Sequence, residues 1–329
     1  MYATGVGSLP GKDFPGAVKN VLGSFEHAWL PELPARGVGA DMVGRTTALL
    51  DGLGIDLQPQ GWRLGEHSGI DHERARSFLR ADLDVLEEHA QNFPGSVTIT
   101  ACGPWTLAAL LERPRGDKVL ADHGARREVA EALGNGLAGL VAEMRRRLPA
   151  VRFVVQLDEP MLPQVMSGGV PTMSGFSRLR SVDRPLASDL LQRVSTAVRG
   201  QTEQVALHCC APGLDIDMVG LSGIDLVGLD VGTLTAAQVD ALGAWLEAGR
   251  DLRLGLVDTA VPDAFTRADG IVQRGLSVLR PLGLDPDLLN RLVSISTACG
   301  LAGWSTPVAA RQLDALLQAA DLLPEQLAR

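Results

Sequence analysis

Short apolar runs that each end at a polar residue recur along this chain, and amphipathic helical segments separate most of them. Eight such runs begin near residues 1, 25, 96, 152, 204, 224, 252 and 292. Strands that alternate with helices favour a parallel sheet, because each parallel connection needs a crossover long enough to hold a helix. The alternation therefore predicts an α/β fold.

Two α/β architectures accommodate eight such strands: a closed (β/α)8 TIM barrel and a doubly wound open sheet. In a barrel all carboxyl ends of the strands meet at one face, whereas an open sheet would scatter those of the sixth and eighth strands. The polar residues that follow the predicted strands are Ser8, Glu32, Asp158, His208, Cys210, Asp230, Asp258 and Cys299. We therefore predict a single (β/α)8 barrel domain over residues 1–329, with a long irregular excursion after strand two at residues 37–73.

Composition limits the partners that the chain can have. The formal net charge is −9 and only 4% of residues are aromatic, so the basic surface and stacking platforms of nucleic-acid binding proteins are missing. No run of 18 or more apolar residues occurs, and the first residues do not form a basic segment followed by an apolar one. We expect a cytoplasmic protein with neither a nucleic-acid nor a membrane partner.

The fifth predicted strand ends in His208, Cys209 and Cys210. Residues i and i+2 of a strand point to the same side, so His208 and Cys210 can present an imidazole nitrogen and a thiolate to one ion while Cys209 points elsewhere. Cysteines so few in a chain of this length do not make a disulfide framework, and in the cytosol they more often bind metal or act in catalysis. The alternative is a hydrogen-bonded core histidine beside small apolar cysteines.

A zinc site needs three or four protein ligands, so the remaining ones must come from distant parts of the chain. Asp230 closes the sixth predicted strand and Cys299 closes the eighth, in the same context as His208. The pattern predicts a zinc site at the carboxyl ends of the strands. Cys102 and Cys209 match no ligand position, and we interpret both as buried thiols.

Seven short motifs give the chain a resemblance that runs through nearly its whole length. In order, they are Gly7-Ser8-Leu9-Pro10, Asp41-Met42-Val43, Gly61-Trp62, Gly103-Pro104-x-Thr106, Gln156-Leu157-Asp158-Glu159-Pro160, His208-x-Cys210 and Cys299-Gly300-Leu301. Together they resemble the catalytic barrel of the cobalamin-independent methionine synthase family, here in a short form with one barrel. The resemblance implies a zinc-dependent enzyme of methionine biosynthesis that methylates homocysteine.

In that family the metal is held by the histidine and cysteine of His-x-Cys, a carboxylate on the next strand and the cysteine of Cys-Gly-Leu. The resemblance therefore implies His208, Cys210, Asp230 and Cys299 as zinc ligands. Where this chain has Asp230 the family usually has a glutamate, so this position departs from the pattern.

The resemblance also implies how homocysteine binds. Acidic residues of the family hold the amino group, which places Asp158 and Glu32 against the ammonium, and Ser8 lies where the carboxylate binds. We assign Asp158 to both catalysis and substrate binding. Its alternative is a strand-end carboxylate that caps a local turn, as aspartate commonly does.

Zinc bound by two thiolates is a poor activator of water but a good carrier of a nucleophilic thiolate, so the expected chemistry is S-alkylation. One alternative is a related zinc methyltransferase that acts on another thiol, such as a coenzyme M-type acceptor. A decarboxylase of the uroporphyrinogen type shares the fold but needs no His-x-Cys motif. A zinc-stabilised barrel without catalytic activity is the alternative from another class.

The loop after the seventh strand bears on the methyl donor. Full-length relatives carry a histidine there that is thought to protonate the departing folate nitrogen, and Ala260 takes its place here. A methylated corrinoid leaves as cobalt(I) and needs no general acid. We therefore expect a methylated corrinoid or corrinoid protein as donor, in preference to methyltetrahydrofolate. The alternative is that Asp258 or a loop histidine such as His67 supplies the proton.

Overall fold

A parallel sheet of eight strands curls into a barrel with helices packed around its outside; the computed structural model describes all residues, 1–329. The strands of the chain are β1 (Tyr2–Ala3), β2 (His27–Trp29), β3 (Gly54–Gln58), β4 (Gly61–Gly65), β5 (Ser96–Cys102), β6 (Arg152–Asp158), β7 (Gln204–Cys209), β8 (Leu226–Asp230), β9 (Asp251–Val257) and β10 (Val293–Thr297). The helices are α1 (Phe14–Ser24), α2 (Met42–Thr47), α3 (Ile70–Ala90), α4 (Pro104–Leu110), α5 (His123–Arg147), α6 (Leu162–Met166), α7 (Arg184–Arg199), α8 (Ile216–Gly220), α9 (Ala236–Glu247), α10 (Ala268–Leu279), α11 (Pro286–Leu292) and α12 (Thr306–Leu327).

The strand order around the barrel is β1-β10-β9-β8-β7-β6-β5-β2, and every pairing is parallel. The edge strands β1 and β2 meet just beyond their ends, where Ser8 and Glu32 form a parallel bridge. There the amide of Glu32 donates to the carbonyl of Gly7 at 3.2 Å and that of Leu9 to the carbonyl of Glu32 at 2.8 Å. This contact brings the two edges together, so the predicted (β/α)8 barrel is confirmed and the open sheet is wrong.

Strand register places the polar residues of the barrel mouth side by side. Asp158 pairs with His208, His208 with Gly228, and Gly228 with Arg253. Register partners of neighbouring strands point to the same face, so this row points into the barrel. Leu157 and Leu207, each one position earlier in its strand, face outward instead. Both are fully buried beneath the helices.

The excursion after β2 lies where it was predicted, but it contains more regular structure than expected. Helix α2 begins after Asp41, whose carboxylate accepts from the amide of Gly44 at 2.6 Å, and β3 and β4 form an antiparallel hairpin. Glycines at both ends of the hairpin strands weaken the alternating pattern that identifies a strand. No helix of the structure is long and apolar enough to cross a membrane.

A close helix contact holds this excursion against the barrel. Gly136 of α5 faces the backbone of Leu49, which follows α2: a Cβ built on Gly136 would lie 1.9 Å from the Leu49 carbonyl oxygen. Gly139, nearly one turn further along the same helix, is exposed and has no atom within 4 Å of such a Cβ. The two glycines therefore differ only in what a methyl group would meet.

We expect Gly136→Ala to lower the free energy of unfolding by about 1–3 kcal/mol, because backbone cannot give way as a flexible side chain can. Gly139→Ala is the matched control and should raise it by up to about 1 kcal/mol, the usual gain for alanine within a helix. Urea unfolding followed by circular dichroism measures both. Equal effects of the two substitutions would contradict the close contact.

Candidate metal and substrate site

The imidazole of His208 is buried without a hydrogen-bond partner. Its side chain lies at the end of β7, the residue is 4% exposed, and neither Nδ1 nor Nε2 makes a hydrogen bond. Gly228 makes room for it, since a Cβ there would lie 3.2 Å from Nδ1. Buried polar atoms without partners are rare because each costs about 1–3 kcal/mol. A hydrogen-bonded core histidine is therefore the wrong interpretation, and the ring fits a ligand that the protein itself does not supply.

Two half-buried thiols lie beside this ring. The Sγ atoms of Cys210 and Cys299 are 3.4 Å apart, and one ligand atom from each of His208, Cys210 and Cys299 falls within 4.8 Å of the others. Two sulfurs bound tetrahedrally to one zinc are about 3.8 Å apart, given Zn–S bonds of about 2.3 Å. The donor set and its spacing therefore fit one zinc ion.

The two thiols also influence each other's ionisation. The Cys210 S–H donates to the sulfur of Cys299, which lowers the pKa of Cys299 and raises that of Cys210. The nearby His208 ring lowers the pKa of Cys299 further, although it makes no hydrogen bond of ordinary geometry. Cys299 is thus the first of the pair to become a thiolate.

The other two cysteines lie apart from this group. Both are fully buried, and burial raises the pKa of Cys209 to about 12 and that of Cys102 well above its usual value. Neither sulfur belongs to the group of ligand atoms formed by His208, Cys210 and Cys299. Their interpretation as buried thiols is confirmed.

Asp230 is not part of the group formed by the histidine and the two cysteines. Its Oδ1 accepts from the amide of Gly232 at 2.8 Å, so its carboxylate caps the turn at Val231–Thr233. Burial raises its pKa. The structure thus brings together three of the four predicted ligands, which is the number that catalytic zinc sites use when a fourth position stays open.

Asp158 ends β6 beside His208 and is 8% exposed. Its Oδ1 accepts from Gln156 Nε2 at 2.8 Å, and Gln156 Oε1 accepts from Arg253 Nη1 at 2.6 Å. Burial, followed by the nearby Glu32 carboxylate, raises the pKa of Asp158. No backbone amide donates to its side chain, so Asp158 does not cap a turn; a chain of side chains orients it.

Glu32 and Ser8 lie on the side of the mouth where the barrel closes. Glu32 Oε1 accepts from Arg45 Nη1 at 2.7 Å and from the Thr100 hydroxyl at 2.5 Å. Ser8 bridges to Glu32, and a Cβ on Gly300 would lie only 1.9 Å from Ser8 Oγ. Ser8 therefore lies between the backbone of Glu32 and the segment that follows Cys299, and a side chain at position 300 would displace the Ser8 hydroxyl.

The structure places four further charged or amide residues at the mouth, to which the sequence pattern assigned no role: Arg45, Gln156, Glu159 and Arg253. Glu159 accepts from the amides of Trp105 and Thr106 at 2.9 and 2.8 Å, and burial raises its pKa to about 7. An arginine inside the otherwise apolar β9 was a signal for Arg253. Nothing in the sequence marks Arg45, since its partner Glu32 belongs to another element.

The well-formed surface cavities do not locate this site, and one of about 500 Å³ lies between α3 and α5. A surface cavity of about 430 Å³ lies between α1 and α12, lined by residues such as Leu9, Lys12 and Leu313. None of the predicted ligands or substrate-binding residues lines it. The donor set at the barrel mouth is the chemically specific feature.

A family model described as "Cobalamin-independent synthase, Catalytic domain" matches residues 118–322, more than half of the chain. Those residues include Asp158, His208, Cys210 and Cys299. No curated protein sequence matches the chain.

Among solved structures, a B12-independent methionine synthase from Shewanella sp. W3-18-1, in complex with selenomethionine, superposes with a TM-score of 0.67 at 14% identity, covering 100% of this chain and 99% of that one. An endo-1,4-beta-mannanase from Rhizomucor miehei gives 0.47 at 11% identity, with coverage of 99% and 95%. GH5_18 from Streptomyces cattleya gives 0.48 at 14% identity, with coverage of 100% and 80%. The first likeness supports the fold, and the other two TM-scores are too low to support an argument.

The expected corrinoid donor is wrong, because the matching family is by its description independent of cobalamin. The expectation took Ala260 as the loss of the proton source at the donor. The structure shows acids that a single loop position does not report: the exposed Asp258 lies in the same loop, where its carboxylate accepts from the amide of Ala260 at 2.9 Å, and burial raises the pKa of Asp158. One missing histidine was too little to identify a donor.

The family match, the fold and the arrangement of the three metal-ligand candidates are consistent with one another. The family match begins before β6 and ends within α12, so it contains the strands that carry the histidine and the two cysteines. The barrel brings those residues within reach of one ion. The chain belongs to the family of cobalamin-independent synthase catalytic domains.

Proposed function

We propose that this protein is a zinc-dependent methyltransferase that converts homocysteine to methionine. The observation that carries the proposal is the buried His208 ring, which has no hydrogen-bond partner and lies beside two thiols whose sulfurs are 3.4 Å apart. Family membership supports methyl transfer, and the Shewanella structure with a likeness in fold is itself a methionine synthase.

His208, Cys210 and Cys299 would hold the metal. Bound by one imidazole and two thiolates, zinc would lower the pKa of an incoming thiol and keep it nucleophilic at neutral pH. Three protein ligands would leave room for the substrate sulfur, while Asp230 is held on its turn outside the group. The homocysteine thiol gives up its proton to solvent, its sulfur forms a bond to the donor methyl group, and the bond between that methyl group and the donor nitrogen breaks.

The methyl donor in this proposal is methyltetrahydrofolate, because the family is independent of cobalamin and its full-length relatives release a folate. Its departing nitrogen must gain a proton. The exposed carboxyl of Asp258, on the loop after β9, is the group that we assign to this step.

Asp158 would hold the ammonium group of homocysteine. It is buried at the mouth beside His208, and the Gln156–Arg253 chain fixes its orientation. An ammonium beside it would favour the charged carboxylate and offset the burial that raises its pKa. This amino-binding role favours homocysteine over thiols without an amino group.

We expect purified protein to contain about one zinc per chain, and Cys210→Ala and Cys299→Ala each to abolish tight binding, because each loses one of only three ligands. Cys209→Ala is the matched control and should retain zinc, since Cys209 points away from the site. Elemental analysis after dialysis measures the content. Full zinc retention in both ligand variants would contradict the site.

Removing zinc with a chelator should abolish methyl transfer while the far-ultraviolet circular dichroism of the barrel persists, because the core does not depend on the mouth. Unfolding on zinc removal would instead support a zinc-stabilised barrel without catalytic activity.

Asp158→Asn should weaken homocysteine binding about 10- to 100-fold, the range of a charge-assisted hydrogen bond of about 1.5–3 kcal/mol. Zinc content should stay unchanged, because asparagine can still accept from Gln156 and is not a ligand. Steady-state kinetics in homocysteine, together with elemental analysis, tests this. Unchanged homocysteine affinity would exclude Asp158 from substrate binding.

A further inference from the structure

Arg45 is a buried arginine whose hydrogen-bonding capacity is mostly unused. The residue is 4% exposed, and its Nη1 donates to Glu32 Oε1 at 2.7 Å and more weakly to the Thr100 hydroxyl at 3.3 Å. Nε is buried without a partner, as are the Nε atoms of Arg36, Arg76 and Arg253, while Nη2 is not fully buried and donates to no protein atom. A guanidinium has five N–H donors in a planar fork. An acceptor for the remaining donors is therefore missing from the protein.

The position of Arg45 connects it to the proposed substrate site. Helix α2 brings it over the barrel mouth, where Glu32 follows β2 and Thr100 lies near the end of β5. Ser8 bridges to Glu32 and contacts Gly300, the residue after Cys299. Asp158 pairs with His208 and lies near the Glu32 carboxylate, so a ligand that reaches from the metal group past Asp158 meets the Glu32–Arg45 pair.

The charges at the mouth show what this ligand must carry. Glu32 and Asp158 are buried acids, and the Glu32 carboxylate contributes to the raised pKa of Asp158. The two buried arginines of the mouth are Arg253, which donates to Gln156 within the barrel, and Arg45. A zwitterionic amino acid needs a cation for its carboxylate, and of these two arginines Arg45 is the one that contacts Glu32, a residue predicted to bind the substrate.

We propose that Arg45 is a specificity-determining residue that binds the α-carboxylate of the acceptor, while Glu32 and Asp158 face its ammonium group. The inference rests on the proposed function and adds to it the group that selects amino acids over other thiols. If Arg45 only held α2 against the segment that follows β2, its hydrogen bond to Glu32 would be enough, and a lysine could make that bond. Arg36 also leaves Nε unpaired, but it donates to Asp82 through both Nη1 and Nη2. The free Nη2 of Arg45, beside its Nε, favours a planar, two-pronged partner, which a carboxylate is.

The test compares two thioethers that differ only in the carboxylate: L-methionine and 3-(methylthio)propylamine. Neither has a free thiol, so binding to the purified protein, measured by titration calorimetry, does not depend on methyl transfer. Arg45→Met should weaken L-methionine binding about 10- to 100-fold and leave the amine within about twofold, so that the two affinities converge.

Two further variants serve as controls. Glu32→Gln with Arg45→Met removes both charges at once, so it avoids a stranded buried carboxylate and should show the same convergence if the single variant does not fold. Arg36→Met breaks another buried ion pair, that with Asp82, away from the mouth. It should retain the wild-type preference for L-methionine.

Each outcome decides the proposal. Arg45 variants that keep the wild-type preference, or that lose affinity for both compounds equally, overturn the role of Arg45 while leaving the proposed function intact. A wild-type protein that binds zinc but neither compound would overturn the amino-acid acceptor itself, and the role of Arg45 with it.

Discussion

A buried imidazole that the protein leaves without a hydrogen bond is the constraint on which the rest of this site depends. His208 lies at the end of a barrel strand, in a space that Gly228 keeps open on the neighbouring strand. Two thiols approach it from the residue after β7 and from the loop after β10. Closure of the barrel makes this possible, since those segments are about ninety residues apart in the chain and adjacent only at the mouth.

The two buried carboxylates assigned to substrate binding, Glu32 and Asp158, are each tied to an arginine. Arg45 contacts Glu32 directly, while Arg253 reaches Asp158 through Gln156. Buried charges are costly unless paired and hydrogen-bonded, so these links hold the acids in fixed orientations before any substrate arrives. Such preorganisation limits the reorganisation that binding requires.

Much of the fold and the central part of the site could be predicted from the sequence, for a definite physical reason. Apolar runs that end in polar residues specify barrel strands, and closure then makes neighbours of His208, Cys210 and Cys299. Asp230 follows the same rule but caps its own turn, because a short carboxylate reaches a nearby amide before a distant ion. Arg45 has no such signal, since its role depends on the packing of the excursion that carries α2.

The prediction of a corrinoid as methyl donor was wrong for a different reason. The absence of a histidine at position 260 does not show which acids the folded site contains. The family match, a finding about the whole catalytic domain, corrected it.

The proposed function requires that His208, Cys210 and Cys299 hold one zinc ion and leave a position for the substrate sulfur. X-ray absorption at the zinc edge, recorded with and without homocysteine, tests it most directly. We expect the zinc ion to have two sulfur neighbours in the free protein and three when homocysteine is bound. An unchanged sulfur count in the presence of saturating homocysteine would contradict it.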